Sequence, residues 1–135
     1  MQATPLEKLA RGLAVAAGSL DAVTGLGLVF LPALMLGLMR AGPVGPEAET
    51  FLRFTGVFVG LVGASYLWAL RGGRRELRMV FALTAWSRLA AGAFCLWAIL
   101  SGRLPPAWTS VPVTDFTLAA LQAWLLKRGV FRDEK

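Results

Sequence analysis

The chain reads as an all-α polytopic membrane protein, an antiparallel bundle of four transmembrane helices. Three observations predict it. Across 135 residues, 56% are hydrophobic, 16% are charged, and the mean hydropathy is +0.62, too apolar for an ordinary soluble domain of this size. The apolar residues are gathered into runs near the roughly 20 residues that a helical crossing requires. The basic residues fall between those runs and on one side of them. One integral membrane domain, residues 1–135, accounts for the whole pattern.

The first run, residues 13–38, follows Lys8 and Arg11 and so imitates a secretory signal. Asp21 interrupts its apolar stretch, the run continues to Met39, and no small-residue cleavage pattern closes it, so an uncleaved first span is expected. Pro32 removes a helical hydrogen bond and predicts a kink, unless the span ends nearby. The second run, residues 51–70, carries Arg53, Gly56, Gly60, Gly63 and Leu67 at three- and four-residue spacing. Gly56 and Gly60 make a GxxxG pattern, and small residues of this kind let helix backbones approach in lipid. Helix packing is therefore the role expected of Gly56, Gly60 and Gly63. The third run, residues 79–100, holds Arg88 at its midpoint, with Ala85, Ala91, Gly92 and Cys95 around it. The fourth, residues 108–126, has Pro112 and Asp115 near its start, which leaves a tilted or re-entrant segment as the alternative to a full crossing.

Turn residues separate the runs: Gly42, Pro43, Gly45 and Pro46, then Gly72 and Gly73, then Pro105 and Pro106. Short connections make neighbouring helices antiparallel. Lys8, Arg11, Arg71, Arg74, Arg75, Arg78, Lys127, Arg128, Arg132 and Lys135 then share one side, and Arg40, Arg53 and Arg103 the other. Cytoplasmic loops keep Lys and Arg, so both termini are expected in the cytoplasm of a bacterial-type inner membrane, as an even number of crossings allows. Trp108 and Trp124, near the two ends of the last span, suit interfacial anchors.

A charge at the bilayer centre costs about 2.5–3.5 kcal/mol on insertion scales and generally faces a bundle interior with a partner. At about 1.5 Å per residue, Asp21 lies about 12 Å into the first span and Arg88 about 14 Å into the third, both counted from the cytoplasmic side. The two are expected to pair. That pair serves either as a clamp fixing helix register or as a ligand or proton site. A second pair, Arg53 with Asp115, is expected near the outer face. Asp115, Ala119 and Gln122 form a stripe on the fourth span, so Arg53, Asp115, Gln122 and Tyr66 make up a secondary polar face.

The net charge of +6 and the isoelectric point near 10.8 would suit a polyanion, but no aromatic-basic motif accompanies them and no nucleic-acid partner is expected. Histidine is absent, so haem ligation by histidine is excluded. The single cysteine, Cys95, excludes an intrachain disulfide and a CxxC redox pair. The sequence has no HExxH, no GxSxG, no clustered metal ligands and no phosphate-binding glycine loop, so no catalytic residue, metal or cofactor is assigned.

The segment Phe51-Leu-Arg-Phe-Thr-Gly56, followed by Gly63-Ala-Ser-Tyr66 and the basic turn Arg71 to Arg75, resembles the small four-helix membrane proteins of the DoxX-like group. The resemblance covers most of the chain in layout and the second span in motif. It implies a four-span helical bundle, and some members of that group are membrane subunits associated with quinone or thiol redox partners. No catalytic set carries over, and Cys95 without a CxxC departs from a thiol-redox version. The function expected is binding of an apolar small molecule, such as a quinone or lipid, or of a partner subunit or second copy, through the face holding Asp21, Arg53, Arg88 and Asp115. A small transporter or ion pathway with Asp21 titrating is one alternative. A structural assembly subunit of a membrane complex is another.

Overall fold

The computed structural model describes residues 3–131, and Arg132 and Lys135 lie outside the described residues. The described chain is helical, with no strand: α1 Pro5–Phe30, α2 Pro32–Leu38, α3 Pro46–Gly72, α4 Arg74–Leu100, a 3-10 turn over Pro106–Thr109, and α5 Ser110–Lys127. Proline opens α1, α2 and α3, where its missing N–H costs nothing and its fixed φ suits the first turn. The Thr4 hydroxyl caps α1 by accepting from the Glu7 backbone N–H at 3.2 Å.

The expected kink at Pro32 is a full break. Leu31 leaves helical geometry (φ −134°, ψ 50°), and the first run becomes α1 and the short α2. Elsewhere the helices outlast the apolar runs, because charged residues at their ends continue the helix outside the apolar part. Thus α3 starts five residues before the expected 51, and α4 starts five before the expected 79. Only Gly73 separates α3 from α4, and it sits at φ 156°, where L side chains are strained. After α5, Gly129 (φ 78°) closes the helix, with the Val130 N–H bonding the Leu125 carbonyl at 3.2 Å. Val130 and Phe131 thereby fold back into the core, where the Phe131 ring meets Phe81 edge-on at 5.5 Å.

Helices α1, α3 and α4 are each long and apolar enough to cross a membrane. Their outer surfaces fit that reading, with large apolar side chains such as Phe30 (69% exposed), Trp86 (74%) and Leu100 (78%) turned outward. Helix α5 is not among the three, since Asp115, Gln122 and Lys127 dilute its apolar content.

Two tight helix pairs make up the fold, α1 with α3 and α4 with α5. In the first pair, Gly25 lies against the backbones of Gly56 and Gly60, and Gly63 against those of Gly18 and Ala22. A Cβ at Gly25 or Gly63 would come within 3 Å of backbone atoms of the facing helix, whereas a Cβ at Gly60 would meet only the Gly25 Cα, at 3.8 Å. The pairs join at the basic end in a core of Ala10, Ala14, Tyr66, Leu77, Phe81 and Leu125. Toward the opposite end they separate and leave a cleft. Helices α1 and α4 run parallel, and two ion pairs 67 residues apart in sequence set their register, Glu7 with Arg74 at 2.8 Å and Asp21 with Arg88.

Candidate functional site: a charged triad at the floor of an apolar cleft

The stripe that α1 buries runs Glu7, Ala10, Ala14, Ala17, Gly18, Asp21, Gly25 and Leu28, so beyond the first turn Asp21 stands among small and apolar residues. On α4 the equivalent stripe is Leu77, Phe81, Thr84, Arg88, Gly92 and Cys95. Asp21 and Arg88 meet where these stripes face each other, through a hydrogen bond from Arg88 Nη2 to Asp21 Oδ2. From α5, Asp115 Oδ1 accepts from Arg88 Nη1 at 2.9 Å. One guanidinium thus serves two carboxylates on two other helices, with Arg88 6% exposed. The Tyr66 ring of α3 stacks on the guanidinium, its centroid 5.9 Å from Arg88 Cζ. All four long helices therefore contribute to one cluster. Arg88 Nε is buried without a hydrogen-bond partner.

Just toward the basic end lies a second polar layer. The Thr84 hydroxyl donates to the Val80 carbonyl at 2.6 Å and accepts from the Tyr66 hydroxyl at 2.7 Å. The Gln122 amide donates to Tyr66 and, at 3.0 Å, to Thr84. Tyr66 and Gln122 are wholly buried, and Gln122 Oε1 is left without a donor. Nearer still to the basic end, Glu7 is 5% exposed and takes Arg74 at 2.8 Å and Arg11 at 3.2 Å.

The expected pair of Arg53 with Asp115 is not formed. Arg53 bonds its own helix neighbour Glu49 at 2.7 Å, one turn away, and donates from Nη1 to the Val29 carbonyl. The break before Pro32 ends α1 there, and a carbonyl of the last helical turn finds its donor on α3 instead. Asp115 lies deeper than its place near the start of an apolar run suggested, because the 3-10 turn over residues 106–109 packs down along α4, with the Trp108 carbonyl 3.9 Å from Cys95 Sγ, so α5 begins already level with the inner part of α4. The secondary polar face accordingly divides: Asp115 joins Arg88, Tyr66 and Gln122 join Thr84, and Arg53 stays half-exposed at the far end.

The chain matches no known family model, no curated protein and no solved structure. The site is therefore read from its own geometry.

Beyond the triad the cleft opens, with a volume of about 390 Å³. Asp21, Arg88 and Asp115 form its polar end, and Leu28, Met35, Leu52, Val59, Ala91 and Trp108 are among its walls. The α2 segment reaches this cleft only because the chain turns at Leu31, so the Pro32 break supplies Met35 and Met39 to the lining. Methionine fills irregular apolar space adaptably. Among the described residues no three His, Cys, Asp or Glu side chains converge as a metal site would need. What the arrangement offers is an apolar compartment with one guanidinium and two carboxyl groups at one end.

Proposed function

We propose that this chain is a non-catalytic, multi-pass protein of a bacterial-type inner membrane, of DoxX-like layout, that holds an apolar small molecule such as a lipid or quinone in the cleft. The observation that carries the proposal is the 390 Å³ cleft ending on Asp21, Arg88 and Asp115. A concave, mostly apolar space with a few convergent polar groups is the usual form of a small-molecule site, and its volume lies within their usual range of about 300–1,000 Å³. Ionisable residues at membrane depth mark functional positions, because their desolvation costs too much to be retained idly.

In this reading α5 is the fourth crossing, with its polar residues turned to the bundle interior. Asp115 and Gln122 engage Arg88 and Thr84, which removes them from lipid. Both chain ends lie on the cytoplasmic side. The asymmetry of the described basic residues supports this, with Lys8, Arg11, Arg71, Arg74, Arg75, Arg78, Lys127 and Arg128 at the end where Glu7 meets Arg74.

Native mass spectrometry of protein released from nanodiscs tests the proposal, comparing wild type with Ala91→Trp. Ala91 lines the cleft yet is exposed to it, so the larger ring fills the space and leaves the three charges intact. The expected result is a bound species of defined mass in wild type and its loss in the variant. A bare wild-type protein, or an adduct equally abundant in both, overturns the reading.

A further inference from the structure

The triad is unbalanced, and the imbalance faces the cleft. Arginine stays charged in any protein environment, so one guanidinium balances one of the two carboxylates, and the triad carries a net charge of −1 when both are ionised. Among the residues lining the cleft, Arg88 is the sole Lys or Arg. Arg53, the nearest basic residue on α3, is engaged by Glu49 and Val29. The carboxylates are also the accessible part of the cluster. The Asp21 and Asp115 side chains are 12% and 15% exposed, against 6% for Arg88. Each gives one oxygen to Arg88, while Asp21 Oδ1 and Asp115 Oδ2 accept no hydrogen bond from the described residues.

An uncompensated charge among apolar walls is costly, and a positive charge delivered from the cleft removes that cost. Resting on the reading of the cleft as a small-molecule site, we propose that its occupant is a lipophilic monocation, an amine or ammonium on an apolar body, with its charge against Asp21 and Asp115. The arginine serves to hold the two carboxylates together and leaves the ligand to supply the missing charge. An anionic headgroup, which a lone arginine would have favoured, meets two carboxylates first.

Tetraphenylphosphonium and tetraphenylborate have the same shape and opposite charge, and so isolate the sign. Equilibrium dialysis against protein in phosphatidylcholine nanodiscs, with empty nanodiscs subtracting partition into lipid, gives the retention of each. Wild type is expected to retain the phosphonium at least about tenfold more tightly than the borate, a modest return for one charge contact of this kind. Asp115→Asn and Asp21→Asn, each of which neutralises the triad, should abolish that preference. Ala91→Trp should abolish retention of both ions. If either Asn variant does not fold, the comparison of the two ions in wild type still decides.

A neutral quinone, decylubiquinone, is measured alongside. Equal or preferential retention of borate by wild type overturns the cation proposal, as does retention of the quinone alone, and either leaves the cleft reading standing if Ala91→Trp removes the binding. Retention of none of the three above the Ala91→Trp level overturns both.

Discussion

Arg88 is shared by two carboxylates, so its removal leaves both without a counter-charge. Replacing the shared cation of a buried ionic cluster strands its anions, at a cost of about 3–5 kcal/mol, whereas replacing all members with neutral groups of similar size is close to neutral. Arg88→Leu should therefore destabilise by about that amount, and the triple variant Asp21→Asn, Arg88→Leu, Asp115→Asn should recover most of the loss. Thermal unfolding in nanodiscs measures both. Equal losses in the single and triple variants would mean that the cluster acts through shape alone. The meeting of Asp21 and Arg88 was legible in the sequence, because both helices start from the same side and equal rise per residue puts the two charges at one level. The third member was not. The apolar run placed position 108 at the membrane edge, but the chain packs the 3-10 turn along α4 as far as Cys95 before α5 begins, and this carries the Asp115 carboxylate inward to Arg88. Arg53 was misassigned for a related reason. The run beginning at 51 left Glu49 in a loop, but α3 begins at Pro46, so Glu49 and Arg53 are one turn apart on the same helix. Glu7 and Thr84 gave no signal in the sequence, since a carboxylate ahead of an apolar run and a threonine within one are common.

At the scale of helices, the glycine stripe on α3 was legible, and the partner that depends on it was not. A GxxxG spacing identifies a face and does not say which glycine is crowded. Gly25 on α1 and Gly56 and Gly63 on α3 each have facing backbone within 3 Å of where a Cβ would go, while Gly60 has room. Gly25→Ala and Gly63→Ala should each force α1 and α3 apart and cost about 1–3 kcal/mol, as overpacked sites do. Gly60→Ala should stay within about 0.5 kcal/mol of wild type, as substitutions free of steric conflict usually do. Reversible unfolding in mixed micelles compares the three, and a Gly60→Ala loss as large as the Gly25→Ala loss would contradict the packing described. The break at Pro32 was visible in advance as a kink. Its depth was not, because proline specifies a lost hydrogen bond and leaves the tertiary surroundings to choose between bending and ending the helix.

For the whole molecule, the prediction concerns orientation. Arg71, Arg75 and Arg78 flank Gly73 at the end where α1 and α4 share the Glu7–Arg74 pair. Neutralising these three to Gln keeps that pair and removes most of the turn's positive charge, on which the proposed cytoplasmic placement of the α3–α4 turn rests. The expected outcome is a mixed or inverted topology, read by labelling a single cysteine placed at Gly42, where a side chain meets no neighbour, in a Cys95→Ser background with a membrane-impermeant reagent. An unchanged labelling pattern would refute the charge-bias argument. The all-helical class was readable from run length and composition alone. The division into two helix pairs with a cleft between them was not, because it depends on which small residues face each other and on where the chain breaks.

The 67-residue separation between Asp21 and Arg88 also has a meaning in time. Ribosomes add about 5–20 residues per second, so on the order of ten seconds pass between the synthesis of the two residues. Throughout that interval α1 holds a carboxylate at membrane depth before Arg88, its hydrogen-bond partner, is made. The glycine seam with α3 is complete before α4 is synthesised and so is available to retain α1 meanwhile. Biogenesis of this fold is thus ordered by its own sequence: backbone contact first, charge neutralisation second, and the cleft last of all, when α5 arrives.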